Sequence, residues 1–205
     1  YHSVNVVADA IIKGNYKGDP EEALKACIET ANKRNYEGIG QYIDLGYIPA
    51  EKNGTSVSNT LEYAYDDWAI AQLAKYLNKT EIYNQFIKRS ENWKNNFDKT
   101  IGFMRPRLAD GSFKKDFDVL STHGQGFIEG NSWNYSFFVP QNPDELITMM
   151  GGKKKFASKL DELFTMHLPD EFFADTEDIT REGIIGGYVH GNEPAHHVAY
   201  FYNWA

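Results

Sequence analysis

The chain has almost no cysteine: Cys27 is the single one among 205 residues. An internal disulfide is therefore excluded, and so is any zinc site built on cysteine thiolates. No run of about 18 apolar residues exists, so no membrane-spanning helix is encoded. The opening stretch YHSVNVVADAIIKG has neither the basic start nor the cleavage site of a secretory signal, and reads as the inside of a helix. Basic residues are outnumbered, 21 against 29 acidic ones. The resulting net charge of −8 argues against nucleic acid and anionic membrane as partners. Also missing are a Walker loop, a G-x-G-x-x-G, a G-x-S-x-G and an H-E-x-x-H, as are low-complexity tracts and exact internal repeats.

Aromatic residues are abundant. Thirteen Tyr, thirteen Phe and four Trp make 15% of the chain, enough either for a thick core or for the lining of a sugar cleft. Helical signals dominate the rest. Val4 to Lys13 is a short apolar helix, and Asp19-Pro20-Glu21-Glu22 supplies a cap, a first-position proline and first-turn acids for a helix to about Arg34. Residues 56–77 carry Val57, Leu61, Ala64, Trp68, Ala71 and Leu77 near a 3.6 period. After a break at 78–80, Ile82, Phe86, Ile87, Trp93 and Phe97 line one face of a second helix, which makes an antiparallel hairpin. NPDELITMMGG followed by KKKFASKLDELFTMHL repeats the pattern, with the double glycine as C-cap. Long turn-rich stretches at 36–55, 99–128 and 166–190 separate these pairs, and connections of that length do functional work. The expected fold class is all-α, a toroid of helical hairpins whose long loops build a cleft.

Three constellations carry candidate chemistry. In GFIEGNSWNYSFFVP (126–140), Glu129 sits among aromatics just before a helix start, where desolvation can raise a carboxyl pKa toward that of a general acid. Helix capping is the ordinary alternative. In HGNEPAHH (190–197), Asn192 and Glu193 precede Pro194 at a helix start, and oxygen donors in an acidic chain favour calcium over a transition metal. Capping plus core histidines is the alternative there. In LEYAYDDW (61–68), the pair Asp67-Trp68 suits a sugar site, though a solvated acidic face explains it as well. Arg105 and Arg107 in GFMRPRLADGSF read as loop anchors.

Taken in order, SVSNTLEYAYDDWAIAQLAK, GFMRPR, EGNSWNYSFFVP and HGNEPAHHVAYFYNWA closely resemble glycoside hydrolase family 92. The family is described as calcium-dependent, inverting exo-α-mannosidases of bacteria, with an N-terminal β-sandwich and an (α/α)6 catalytic toroid. The resemblance covers essentially the whole chain and implies that residues 1–205 are a middle part of one toroid domain. It implies Glu129 as general acid, calcium as cofactor with Glu193 as leading ligand and Asn192 as a weaker one, and Trp133, His190, Asn131 and Asp67 as sugar contacts. The implied partner is a mannose-containing glycan, and the implied location is periplasmic, secreted or at the cell surface. The family's general base belongs to a Gly-Asn-Asp motif expected after Ala205; ADTED (174–178) lies in the wrong surroundings, and DEFFADTEDITREG looks like a local insertion. On this reading the chain depends on the remaining parts of the enzyme and is inactive alone. Two other readings stay open: another α-toroid glycosidase acting on α-glucosides or trehalose, and a non-catalytic glycan-binding module.

Overall fold

The computed structural model describes residues 1–122, 124–168 and 184–205. It is an all-α chain with a few short strands: α1 (Ser3–Ile12), α2 (Pro20–Ala31), α3 (Ile39–Leu45), α4 (Ser56–Tyr76), α5 (Thr80–Arg89), β1 (Phe97–Asp98), β2 (Phe103–Met104), α6 (Ser132–Tyr135), α7 (Pro143–Met149), α8 (Lys153–Thr165), β3 (Ile184–Ile185) and β4 (Tyr188–Val189). The described residues also include the 3₁₀ segments Ser90–Asn96, Glu193–Ala195 and Val198–Asn203. The chain divides into two compact units, 1–96 with 106–114 and 97–105 with 115–205. No helix among the described residues is long and apolar enough to cross a membrane.

The first unit is organised around α4. Its AIAQLA stretch is narrow enough for neighbours to approach closely. Val4, Ala8 and Ile11 of α1, Leu24, Cys27 and Ala31 of α2, and Phe86 of α5 form one core with Ala69, Ile70, Ala71, Leu73 and Ala74 of α4. The apolar positions of α1 and α2 recur at the three- and four-residue spacing that puts them on one helical face. Asp19 caps α2, its carboxylate accepting from the Glu21 amide at 2.8 Å, as the sequence leads one to expect. The turn from α4 to α5 is closed by Asn78 in the left-handed region, φ +59°, a conformation asparagine tolerates.

The structure differs from the sequence reading in several elements. α5 stops at Arg89, and residues 90–96 tighten into a 3₁₀ segment. There the Ser90 hydroxyl donates to the Ile87 carbonyl at 2.8 Å, so a side chain competes for the backbone acceptor that a continuing helix needs. The segment read as loop at 36–55 contains α3, bounded by Gly38 and Gly46, both left-handed. The helix that follows Glu129, α6, is only four residues long.

The second unit begins with the β1–β2 hairpin, in which Phe97 pairs with Met104 and Asp98 with Phe103. Asp98 accepts from the Thr100 amide at 2.9 Å and from Arg105 at 2.9 Å, so Arg105 anchors a loop as expected. Arg107 is its counterpart in the first unit, stacked 4.6 Å over Phe113. The β3–β4 hairpin turns on Gly186-Gly187. Gly186 has φ +62° and lies so close to α8 that a Cβ there would sit 2.5 Å from the Leu163 carbonyl oxygen; only glycine fits.

Candidate active site: the Glu129 junction and the 190–193 turn

α6 is a short helix held on several sides, and its supports explain where Glu129 stands. Asn131 is the N-cap: its side chain accepts from the Asn134 amide at 3.2 Å, and the Asn134 side chain accepts from the Asn131 amide at 3.1 Å. This is a capping box with asparagine in the usual Glu/Gln position. Gly130 just before it has φ +58°, and a Cβ there would meet the Asn134 Oδ1 at 2.6 Å. Two hydroxyls fasten α6 to β2: Ser132 donates to the Met104 carbonyl at 2.6 Å, and the Met104 amide donates to Ser136 at 2.8 Å. Asn134 also donates to the Gly187 carbonyl at 2.9 Å, which ties the β3–β4 hairpin to the same helix. His197 completes the set, its Nε2–H donating to the Phe137 carbonyl at 2.8 Å.

Glu129 itself is exposed on the loop leading into this helix. The Tyr135 hydroxyl, from a fully buried ring, donates to its Oε1 at 3.4 Å. Capping is therefore done by Asn131, and the carboxyl of Glu129 stays at the surface beside a fixed hydroxyl.

The β4 strand feeds directly into His190-Gly191-Asn192-Glu193. The Tyr188 hydroxyl and His190 Nδ1 are 2.7 Å apart, and the exposed His190 and His196 rings lie 5.3 Å apart. Asn192 occupies the cap position of the 3₁₀ segment without a side-chain cap bond, and Glu193 is exposed. Among the described residues neither side chain forms a hydrogen bond or ion pair, so both present unengaged oxygens. The histidines divide. His196 faces outward, whereas His197 is packed edge-on against Phe138 and Phe201, and burial lowers its pKa. His197 is thus a core histidine.

Three of the sugar contacts expected from the sequence are placed in the interior instead. Trp133 is 6% exposed, with its ring edge-on to Phe103 at 4.7 Å and the Lys159 ammonium 5.1 Å away. Lys159 also sits 3.2 Å over Phe103 and donates to the Gly102 carbonyl at 2.8 Å, while burial pulls its pKa down to about 8. Asn131 is 2% exposed, with its oxygen in the capping box and its amide donating to the Leu120 carbonyl at 3.2 Å.

Asp67 is fully buried on α4 in the first unit. One of its oxygens accepts from Tyr1 and from Arg89, the other from Tyr42 and again from Arg89, at 2.5–2.7 Å. Burial pushes its pKa up, while Arg89 and the two hydroxyls hold it down. No lone pair remains for a sugar hydroxyl. Its neighbour Asp66 faces α1, where it bonds His2 at 2.8 Å and also Asn5; Glu62 reaches the other His2 nitrogen at 3.1 Å. These two carboxylates raise the His2 pKa to about 10.

Sequence reasoning missed Tyr135, Asn134, Lys159 and Arg89. For Asn134 a local signal exists, the N-x-x-N spacing of a capping box; for the others none does. Among the described residues no group of three or more His, Cys, Asp and Glu side chains converges on a point. The ADTED and DEFFADTEDITREG stretches lie outside the described residues.

Comparisons with known proteins agree with the motif reading. The profile of the glycosyl hydrolase family 92 catalytic domain matches residues 1–205. The family GH92 α-mannosidase BT3965 of Bacteroides thetaiotaomicron superposes with a TM-score of 0.91 at 42% identity, over 100% of this chain and 26% of that one. The inverting mannosidase BT2199 of the same organism gives 0.84 at 32% identity, over 98% of this chain and 29% of that one. An uncharacterized secreted glycosidase of Arthroderma benhamiae is 29% identical over 98% of this chain and 28% of its own length. The chain thus spans less than a third of each relative, while the family match runs over residues 1–205. It belongs to glycoside hydrolase family 92.

Proposed function

We propose that the enzyme containing this chain releases terminal α-linked mannose from glycans with inversion of configuration. The observation that carries this is the 42% identity to an α-mannosidase across 100% of the chain, which includes all four motifs. The all-α architecture supports placing residues 1–205 within an (α/α)6 toroid. The short span relative to its relatives supports an activity that needs the rest of the enzyme.

In the mechanism proposed, Glu129 is the general acid. Its carboxyl proton passes to the glycosidic oxygen as the bond from that oxygen to the anomeric carbon breaks. A water molecule attacks the opposite face of that carbon and gives up its proton to a base elsewhere in the enzyme. In inverting enzymes the two carboxyls stand roughly 6.5–9.5 Å apart, which leaves room for that water. His190, exposed and fixed through Nδ1 by Tyr188, is the sugar contact best supported by position. Asp67, Trp133 and Asn131 serve in this account as interior supports.

The calcium assignment fits the donor chemistry of the 190–193 turn, where Asn192 and Glu193 carry unengaged oxygens. Calcium takes 6–8 oxygen ligands, so these two would be a minority of its shell. When bound, the cation would grip sugar hydroxyls and favour a ring shape closer to an oxocarbenium ion. The relative described as secreted supports a location outside the cytoplasm, whether periplasmic, cell-surface or secreted.

The test uses the full-length enzyme with aryl glycosides of mannose, glucose and galactose, and with proton NMR of the first sugar released. The expected result is turnover of the α-mannoside alone, β-mannose as first product, loss of turnover with chelator and its return with calcium. Preferential α-glucoside turnover would overturn the mannosidase reading. Full activity in excess chelator would overturn the calcium assignment.

A further inference from the structure

Resting on Glu129 as general acid and on the 190–193 turn as the seat of the cation, we propose that Asn134 is a positioning residue that couples the two. Occupancy of the turn and placement of the acid-bearing loop are linked through its side chain. That carboxamide belongs to a residue only 7% exposed, and both of its ends are used. Oδ1 accepts from the Asn131 amide at 3.1 Å, and Nδ2 donates to the Gly187 carbonyl at 2.9 Å. The first bond closes the capping box two residues after Glu129. Oδ1 also lies against Gly130, where it is the atom a Cβ would meet first, at 2.6 Å. The second bond reaches the β3–β4 hairpin, three residues before His190.

Gly187 is gripped from both sides. Its N–H donates to the Leu163 carbonyl of α8 at 2.7 Å, and its carbonyl takes the Asn134 bond. Beyond it the Tyr188 hydroxyl meets His190, and the Asn192 amide closes the turn on the Val189 carbonyl at 3.2 Å. Further on, His197 returns to the Phe137 carbonyl. The turn is thus bracketed by two bonds to the α6 segment, and of these the Asn134 bond is the one whose side chain also holds the acid loop. The serine bonds of α6 run to β2 instead. Because one planar amide supplies both bonds, a shift of Gly187 either loosens one end or carries Asn131 with it. Buried hydrogen bonds joined in this way act as a unit. Coupling is reciprocal, so cutting the tie weakens binding at the turn as well as the hold on the acid loop.

The experiment compares the full-length wild type with Asn134→Asp, which keeps an oxygen for the Asn131 amide but, once ionised, has no proton to give Gly187. Amide exchange is followed in segments 127–131 and 188–193, with and without calcium, across a range of pH. In wild type, calcium is expected to slow exchange in both segments. In Asn134→Asp it still slows 188–193, which shows the variant folded and loaded, while the 127–131 response is lost. Calorimetry is expected to find calcium bound about 3- to 10-fold more weakly, the worth of one hydrogen bond. As pH falls and the introduced carboxyl takes up a proton, it regains a donor for Gly187 and the 127–131 response returns; mere damage to the helix shows no such recovery. Ser132→Ala, which cuts a different bond of the same helix, keeps both responses. A 127–131 response that survives in Asn134→Asp at every pH, or is lost equally in Ser132→Ala, overturns the proposal. Protection of 188–193 without 127–131 in wild type refutes the coupling alone. If calcium leaves 188–193 unprotected in wild type, the cation assignment fails first and takes this proposal with it.

Discussion

Replacing Arg89 with methionine should damage the first unit far more than an ordinary helix-end substitution. Arg89 donates two of the four hydrogen bonds that Asp67 accepts, and its side chain is 11% exposed against 0% for Asp67. Methionine keeps much of the packing over Phe86, which the guanidinium covers at 4.5 Å. What it removes is the countercharge. Breaking one side of a buried pair costs about 3–5 kcal/mol, since the remaining charge is left without compensation. Asp67 can escape only by taking up a proton. Burial already pushes its pKa up, and without Arg89 the folded-state value rises further above the unfolded one of 3.8. A carboxyl raised in the fold favours folding below its unfolded pKa and loses that benefit as pH climbs through its folded pKa. The Arg89→Met deficit should therefore grow as pH increases from about 4. Native-state amide exchange in α4 of the full-length enzyme reads this local stability, with protection at neutral pH expected to fall by a factor of about 10² or more. Asp67→Leu in the same protein should restore much of it, because Tyr42 keeps a second acceptor in the Arg89 carbonyl at 3.1 Å. Exchange within about threefold of wild type for Arg89→Met would refute the reasoning, as would a double variant no better than the single.

Gly130→Ala should weaken the acid loop: its φ of +58° is strained for alanine, and the new Cβ would press on the Asn134 oxygen of the capping box. The expected cost is about 1–2 kcal/mol in local stability with a fall in kcat, checked by exchange and by steady-state kinetics. His2 gives a pH signature. Its pKa is raised from 6.5 to about 10 by Asp66 and Glu62, so its stabilisation of the α1–α4 contact is full below 6.5 and is lost as pH rises through about 10. His2→Gln should flatten the decline in α1 protection across that window, and an unchanged pH profile would remove His2 from this role.

Much of the helical framework was legible because its signals are local. Asp19-Pro20 marks the start of α2, and the apolar spacing marks α1 and the faces of α4 and α5. α3 was hidden because two left-handed glycines bracket seven residues, which reads as loop. The β3–β4 hairpin carried a usable signal in IIGGYV, a two-residue glycine turn between β-branched and aromatic residues. The setting of the candidate residues was legible in part. Glu129 and Glu193 lie at exposed junctions, which a motif can indicate. Whether Asp67, Trp133 and Asn131 face outward depends on partners far along the chain: Arg89 and Tyr42 for Asp67, Phe103 and Lys159 for Trp133, Leu120 for Asn131. Aspartate beside tryptophan reads locally as a sugar site, but Asp67 is buried against Arg89, and Trp68 stacks on Tyr65 and packs against the core of the first unit. Tyr135 was illegible for the same reason, since its reach back to Glu129 depends on the Phe127 stack.

The central claim is that Glu129 protonates the leaving group of an α-mannoside, and leaving-group dependence tests it directly. In the full-length enzyme, kcat for wild type and Glu129→Gln is measured on methyl α-mannoside and on 2,4-dinitrophenyl α-mannoside. A lost general acid lowers turnover of the methyl glycoside by about 10²–10⁴-fold, while the dinitrophenyl glycoside, whose phenolate departs without a proton, falls far less. Equal losses on the two substrates, or undiminished hydrolysis of the methyl glycoside, would contradict the account.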